Sequence, residues 1–403
     1  MTSTAAAQPS TRLLHAGAPP LTGGTGPINT PVVRASTLRF ESMALREDLA
    51  RRRSAGEDVA SYGIHGLDTH RALEAALREL EGGERALLAP SGLAAITLVL
   101  LAVLSPGEHA LVCDSVYSPL RRVDAQLLRR LGITLEYFSP ARDDLAARIR
   151  PETRLLYLES PGSLLNEVLD LPALAALAHA RGVAVAVDNT WGAGWLHRPL
   201  DLGADISLQA GTKYIGGHSD LMLGTVVANG AELVRRLVQT HESLGLTIGA
   251  DDAWLALRGL RTLPVRLAQH ERHAVEVARW LQAQPQVARV FFPALQDDPG
   301  HALWRRDFSG ANGLLSFELQ GTDPRAGYAL VDALKLFRIG ASWGGYESLA
   351  LLVAPERLAE HSLWTGHGQP RGPLVRLHVG LEDPRDLVDD LAQALDVARR
   401  AVA

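Results

Sequence analysis

Cysteine is almost missing from this 403-residue chain: Cys113 stands alone. A single thiol cannot close an intramolecular disulfide, and it leaves no cysteine-built metal site, so no metal is expected. It sits in the apolar run His109-Ala-Leu-Val-Cys-Asp114, where a small buried filler is the expected role. Charge of one sign is also missing. The formal net charge is −5 with both signs interspersed, and no basic stripe marks a nucleic-acid partner. No apolar run reaches the ~20 residues needed to span a bilayer; the nearest, Leu93 to Leu104, has the length of a core helix. The first seven residues, Met1 to Ala7, lack a basic flank and an apolar stretch, so they read as a loose tail and not a signal peptide. Internal repeats and low-complexity tracts are absent. These exclusions leave a cytoplasmic enzyme as the expected class.

What is present is alternation. At 403 residues the chain exceeds the roughly 250–300 that one hydrophobic core sustains, so two domains are expected. Residues 1–62 are extended and rich in Gly and Pro, then helical and charged around Arg46 to Arg53; such an arm cannot bury a core alone and is expected to lie on a partner subunit. Helical spacing of Leu73, Ala76, Leu77 and Leu80 predicts a helix over 69–80, stopped by Gly82-Gly83. Strands are predicted at 86–89, 110–113, 134–138, 155–158, 183–187, 206–210 and 225–228. Helices are expected between them, at 93–104, 123–131, 174–180 and 231–240. Such alternation predicts an α/β domain, residues 63–262, with a mainly parallel seven-stranded sheet covered on both faces. Beyond it, a long helix near 264–284, strands at 287–291 and 314–318, and a helix after Pro384 predict a smaller C-terminal α+β domain, residues 263–403.

Two strand ends carry the chemistry. Val183-Ala-Val-Ala-Val-Asp188 is a buried strand delivering a carboxylate to its C-terminal edge. Ile206 to Ala210 is another, followed by Gly-Thr212-Lys213-Tyr-Ile-Gly-Gly-His-Ser-Asp220. An anion and an amine then share one sheet edge, where open α/β sheets bind ligands. That pair suits pyridoxal 5′-phosphate: the lysine condenses with its aldehyde, and the carboxylate keeps the pyridine nitrogen protonated. A surface lysine beside an ordinary strand is the plainer alternative; Thr212, Gly216, Gly217, His218 and Ser219 make this turn too polar and too open for it.

Other strand ends add to the lysine. Ser91-Gly92-Leu93-Ala94 opens a helix whose first amides can face a phosphate, although such junctions are common for packing alone. Tyr117 can lay its ring on a flat cofactor or stand as a half-buried core tyrosine. Glu159-Ser-Pro-Gly-Ser163 reads as a turn. Ala341-Ser342-Trp343-Gly344-Gly345-Tyr346 pairs two glycines with a polar rim. Arg376 is a cation inside the apolar strand Leu374-Val-Arg-Leu-His-Val-Gly380, so it needs a carboxylate, from an internal salt bridge or from a substrate.

Together these segments resemble the Cys/Met-metabolism enzymes of the fold-type I (aspartate aminotransferase-like) pyridoxal-phosphate class, and within them the bacterial cystathionine β-lyases. The resemblance runs from Thr11-Arg-Leu-Leu-His-Ala-Gly17 to the C-terminus. It is most specific at Glu159-Ser-Pro-Gly-Ser163, Asp188-Asn-Thr-Trp191, Gln209-Ala-Gly-Thr-Lys-Tyr214, Arg258-Gly-Leu-Arg-Thr-Leu263 and Ser342-Trp-Gly-Gly-Tyr-Glu-Ser348. It implies that Lys213 is the Schiff-base lysine and base, that Asp188 faces the pyridine nitrogen, and that Tyr117 stacks on the ring. Gly92, the Leu93 backbone and Thr212 would hold the phosphate, with Tyr62 reaching in from a neighbouring subunit. Arg376, Ser342 and the Trp343 backbone would clamp the α-carboxylate of an amino-acid substrate. A homotetramer built from two dimers is implied.

The implied reaction is β-elimination from L-cystathionine or a related cysteine S-conjugate. Trp343 and Gly162-Ser163 separate it from the γ-lyases and γ-synthases, which usually carry Leu and Thr-Asn there. A third reading, a non-catalytic cofactor-holding protein, is disfavoured by the intact Lys213, Asp188, Tyr117 and Arg376. Two departures stand out: Ile64 where the family usually has arginine two positions after Tyr62, and Ala341 where many of these lyases have tyrosine. Both predict a smaller or less polar substrate side arm and, at Ile64, weaker phosphate binding unless His65 or another arginine compensates.

Overall fold

The computed structural model of the protein describes residues 7–140, 142–366 and 371–403. Residues 1–6, most of the expected tail, lie outside the described residues. Seven strands form the larger sheet: β1 Arg85–Ala89, β2 His109–Cys113, β3 Thr134–Phe138, β4 Thr153–Glu159, β5 Ala184–Asp188, β6 Ile206–Ala210 and β7 Gly224–Ala228. Their order is β1-β7-β6-β5-β4-β2-β3.

The strands from β3 to β6 pair in parallel, as the alternation with helices predicts. β7 is the exception: it runs antiparallel to both β6 and β1. Residues 211–223 join β6 to β7 with turns and no helix, and a parallel return needs a longer crossover. The Lys213 turn is therefore the point where the sheet reverses direction. β2 and β7 are buried at every position, and helices cover both faces of the sheet. Helix Asp68–Glu81 ends at Gly82, whose φ of +79° is the left-handed cap that glycine adopts without a Cβ penalty. The helix expected over 123–131 is broken into Pro119–Val123, a π-type turn Asp124–Leu128 and a 3-10 turn Arg129–Leu131. At the widened turn the buried Asp124 carboxylate accepts from Arg129 and from the Tyr137 phenol.

Five strands make the second sheet: β8 Val287–Phe291, β9 Leu314–Leu319, β10 Arg338–Ile339, β11 Leu349–Leu352 and β12 Leu374–His378. Their order is β10-β11-β12-β9-β8. β12 is central, and its Arg376 sits opposite Ser316 of β9 and Leu351 of β11. Helices Leu263–Gln282, Pro324–Ala333 and Pro384–Ala401 pack on this sheet and on one another. In the N-terminal segment, helix Met43–Ser54 buries none of its residues, and Ile28 is 99% exposed.

Candidate active site

β4, β5 and β6 run the same way, so Glu159, Asp188 and Ala210 end side by side at one edge. Asp188 is buried, and its Oδ1 accepts from the Thr190 amide at 3.0 Å and the Thr190 hydroxyl at 2.5 Å. The same hydroxyl accepts from the Ala210 amide at 2.9 Å, so Thr190 ties the carboxylate to the strand that leads into Lys213. Burial raises the Asp188 carboxyl above the usual aspartate value; the Thr190 bonds pull the other way.

Lys213 sits in the reversing turn, its amide bonded to Ala210 O at 3.0 Å and its carbonyl accepting from Gly217 at 2.8 Å. Its Nζ donates to Ser342 Oγ at 2.6 Å and lies 5.4 Å from the Trp343 ring centre. Gly344, at φ +89°, lets the second-sheet loop close on this turn: a Cβ there would meet the Lys213 backbone at 2.9 Å. Trp343 leans on Tyr214, whose phenol oxygen accepts from the Gly313 amide at 3.0 Å. Burial, then the nearby charge of Arg376, lowers the Lys213 amine to about 8. Beneath, His270 is lowered to about 4 and His378 well below its usual value, both by burial, so neither ring adds charge near neutral pH.

Arg376 is 8% exposed, and its guanidinium donates only to carbonyls, Ala341 O at 3.0 Å and Ser342 O at 3.3 Å. No carboxylate pairs with it among the described residues, which removes the internal salt bridge that its sequence setting allowed. Burial pulls it down to about 10, still cationic at neutral pH. An anionic ligand reaching Arg376 would meet a charge that the described residues leave unpaired.

Gly92 and Leu93 start helix Gly92–Val103, capped by Ser91, whose side chain accepts from Ala94 N at 3.1 Å. The Gly92 and Leu93 amides have no partner among the described residues. Gly92 has no room for a side chain, since a Cβ would stand 2.6 Å from the Ala210 methyl. The Thr212 hydroxyl accepts from Leu223 N at 2.9 Å and donates to Leu223 O at 3.2 Å. Tyr117, 44% exposed after β2, is held through its amide by Glu159 Oε2 at 2.6 Å, and its phenol is close enough to Arg376 to act on its charge.

Lys213, Ser342, Trp343, Arg376, Asp188, Tyr117, Gly92, Leu93 and Thr212 are thus gathered around one sheet edge. Tyr62 is not joined to them: half exposed on the arm, it meets His65 edge-on at 6.4 Å. Ile64 and His65 line a separate hollow with Arg53 and Arg85, which already pair with Glu242 and Asp58. Neither arginine is free to replace a missing phosphate contact. Sequence reasoning missed Thr190 as the link between the two strand ends, and it read Glu159 only as part of a turn; a hydroxyl two residues after the aspartate was the available signal.

The donor set fits pyridoxal phosphate: unpartnered amides at a helix start, a buried carboxylate, and an amine already lowered toward its reactive form. A cavity of about 600 Å³ elsewhere, near Asp114, Asp170 and Asp298, offers no comparable chemistry; those carboxylates already hold Ser362, Arg306 and the Phe292 and Gly300 amides.

The chain is similar to several known proteins. The chain is 54% identical to a cystathionine β-lyase of Bordetella avium, covering 99% of this chain and 100% of that one. It is 42% identical to the cystathionine β-lyase MetC of Escherichia coli, over 91% of this chain and 93% of the relative. The crystal structure of metB from Corynebacterium glutamicum superposes with a TM-score of 0.87 at 30% identity, covering 96% and 98% of the two chains. Residues 10–396 match the family of Cys/Met metabolism pyridoxal-phosphate-dependent enzymes, and to that family the chain belongs.

Proposed function

We propose that the protein is a carbon–sulfur β-lyase that converts L-cystathionine, or a related cysteine S-conjugate, into a thiol (homocysteine from cystathionine), pyruvate and ammonia. The observation that carries this is Arg376, a buried cation with no internal anion, beside an amine poised to exchange protons. The names of the two β-lyase relatives support the same reaction.

In this reading the Gly92 and Leu93 amides and Thr212 would hold the cofactor phosphate, Asp188 would pair with the ring nitrogen, Tyr117 would stack on the ring, and Tyr62 of a second copy would complete the pocket. When bound, the cofactor supplies an electron sink for negative charge developing at the substrate Cα. Arg376, with Ser342 and the Trp343 backbone, grips the α-carboxylate and so fixes which Cα bond faces the ring. Lys213 Nζ, with a value near 8, takes the Cα proton at near-neutral pH. The electron pair left at Cα then expels sulfur from Cβ as a thiolate, the proton held on Lys213 turns it into the thiol, and water completes the breakdown to pyruvate and ammonia. Ser342 holds the Lys213 amine in reach of the substrate through the 2.6 Å bond.

The same reading divides the chain into an arm (1–62), a cofactor domain (63–262) and a small domain (263–403). We read the assembly as a cytoplasmic homotetramer, a dimer of dimers sharing active sites; the exposed arm supports contact with a further copy. Light scattering tests the assembly. An assay of purified holoenzyme with L-cystathionine tests the reaction: pyruvate with homocysteine is expected. Release of 2-oxobutyrate and cysteine would establish a γ-lyase instead, and no turnover of any cysteine thioether would sink both.

A further inference from the structure

Glu159 and Asp188 end neighbouring parallel strands in direct register. Strands in such a pair lie about 4.8 Å apart, so the two carboxyl groups leave the sheet side by side. Asp188 is buried and Glu159 half-buried, and two carboxyl groups on neighbouring strands each make the other harder to ionise. Their partners differ. Asp188 accepts two Thr190 bonds on Oδ1. Glu159 accepts one, from the Tyr117 amide to Oε2 at 2.6 Å, and Oε1 has no partner among the described residues. The groups facing Glu159 are Asp188, the Tyr157 phenol, the Cys113 thiol and Glu167, none of them a cation. Burial first, and then the charge on Asp188, push the Glu159 carboxyl well above its usual value.

We propose that Glu159 is a positioning residue: its carboxyl oxygen holds the Tyr117 amide across from β4 and so sets the Tyr117 ring over the cofactor site. The inference rests on the reading of Tyr117 as the residue that covers the cofactor ring. Geometry explains the choice of a long side chain. Tyr117 follows β2, which pairs with β4 on the side away from β5, and only a side chain at the end of β4 stands between the two. The carboxyl thus transmits the position of one strand end to the aromatic ring that follows the next.

The test is reconstitution of the apo-protein with pyridoxal phosphate, followed by the absorbance of the bound cofactor across pH. Glu159→Ala should weaken cofactor affinity roughly tenfold, because the Tyr117 ring loses the bond that fixes its place. Tyr117→Ala should weaken it comparably, and the double variant should fall no more than about twofold below the weaker single, the mark of shared action. Glu159→Gln, neutral and still an acceptor, should restore affinity to within about threefold of the parent and keep the pH midpoint of the cofactor band. If Glu159→Gln binds as weakly as Glu159→Ala, or shifts that midpoint, the residue acts through charge and the proposal fails. Parent-like affinity in Glu159→Ala, with Tyr117→Ala impaired, also overturns it. A harmless Tyr117→Ala would refute the reading of Tyr117 instead. Should Glu159→Ala not fold, Glu159→Asp decides: it keeps the carboxyl but withdraws it by one methylene, so weakened affinity there, with Glu159→Gln intact, supports the same conclusion.

Discussion

Glu81 and Arg376 are both chargeable side chains taken out of water, yet the protein surrounds them in opposite ways. Glu81 ends helix Asp68–Glu81 beneath the large sheet and collects three donors: Ser207 Oγ at 2.9 Å, Asn189 Nδ2 at 3.2 Å and Gln209 Nε2. Those donors flank Asp188 and Lys213 in the chain, so the carboxyl pins both site strands from below. Every oxygen it offers is used. Among the described residues Arg376 has two carbonyls and no anion, and Lys213 beside it has one hydroxyl. The Glu81 cluster closes on itself, whereas these two charges stand open at the sheet edge.

The comparison breaks most completely at the amine. Lys213→Ala is expected to abolish pyruvate release, with kcat lowered by roughly four orders of magnitude or more, and to remove the cofactor's covalently bound absorbance band. Closing the open cluster should come next. Arg376→Ala is expected to lower kcat/KM by about 100- to 1000-fold, the cost of losing a charge-assisted carboxylate clamp. Ser316→Asp, which places a carboxylate opposite Arg376 on the neighbouring strand, should raise KM about tenfold or more by occupying the guanidinium internally. An unchanged KM in Ser316→Asp would mean that Arg376 is not the substrate's anchor.

The closed cluster makes a prediction about stability. Burial raises the Glu81 carboxyl to about 7 against the attraction of its donors. Between its unfolded value and 7 the folded state binds the extra proton, so its contribution falls as pH rises and is lost above 7. Glu81→Gln, with the Gln209 amide turned to accept, should therefore match the parent in denaturant unfolding at pH 5 and exceed it by roughly 2 kcal/mol at pH 8. A variant less stable at both pH values would show that the carboxylate form is the one the fold uses.

The smallest effect sharpens the open side. A lysine lowered to about 8 is half deprotonated there, so capture of pyridoxal phosphate by the apo-protein should speed up with pH around a midpoint near 8. Arg376→Ala should move that midpoint upward, because the neighbouring cation is the second cause of the lowering after burial. Stopped-flow absorbance reads both.

Several residues of this edge were legible because each ends or follows a contiguous apolar run: Asp188 at the end of β5, Lys213 after β6, Gly92 and Leu93 after β1, Tyr117 after β2. The period and length of the run announce the strand, and the polar residue that ends it announces the edge. The reversal at β7 was not legible, since an antiparallel strand buried on both faces has the same composition as a parallel one. Thr190, Glu159 and Glu81 were hidden for another reason: their roles depend on which strand stands beside which. Tyr62 stands half exposed on the arm of a single chain, apart from the other predicted site residues.

The sequence by itself determined that the chain is an α/β protein with an amine and a carboxylate delivered to one sheet edge, because burial pattern and turn chemistry are local properties. Tertiary packing alone settles that Arg376 meets no carboxylate among the described residues, that Ser342 holds the lysine, that Thr190 joins Asp188 to the neighbouring strand and that Glu81 is closed by three donors. Those outcomes are set by register and domain docking, which bring together residues up to 128 or 129 positions apart in the chain. Whether a buried charge is satisfied depends on such neighbours, and no local pattern records them.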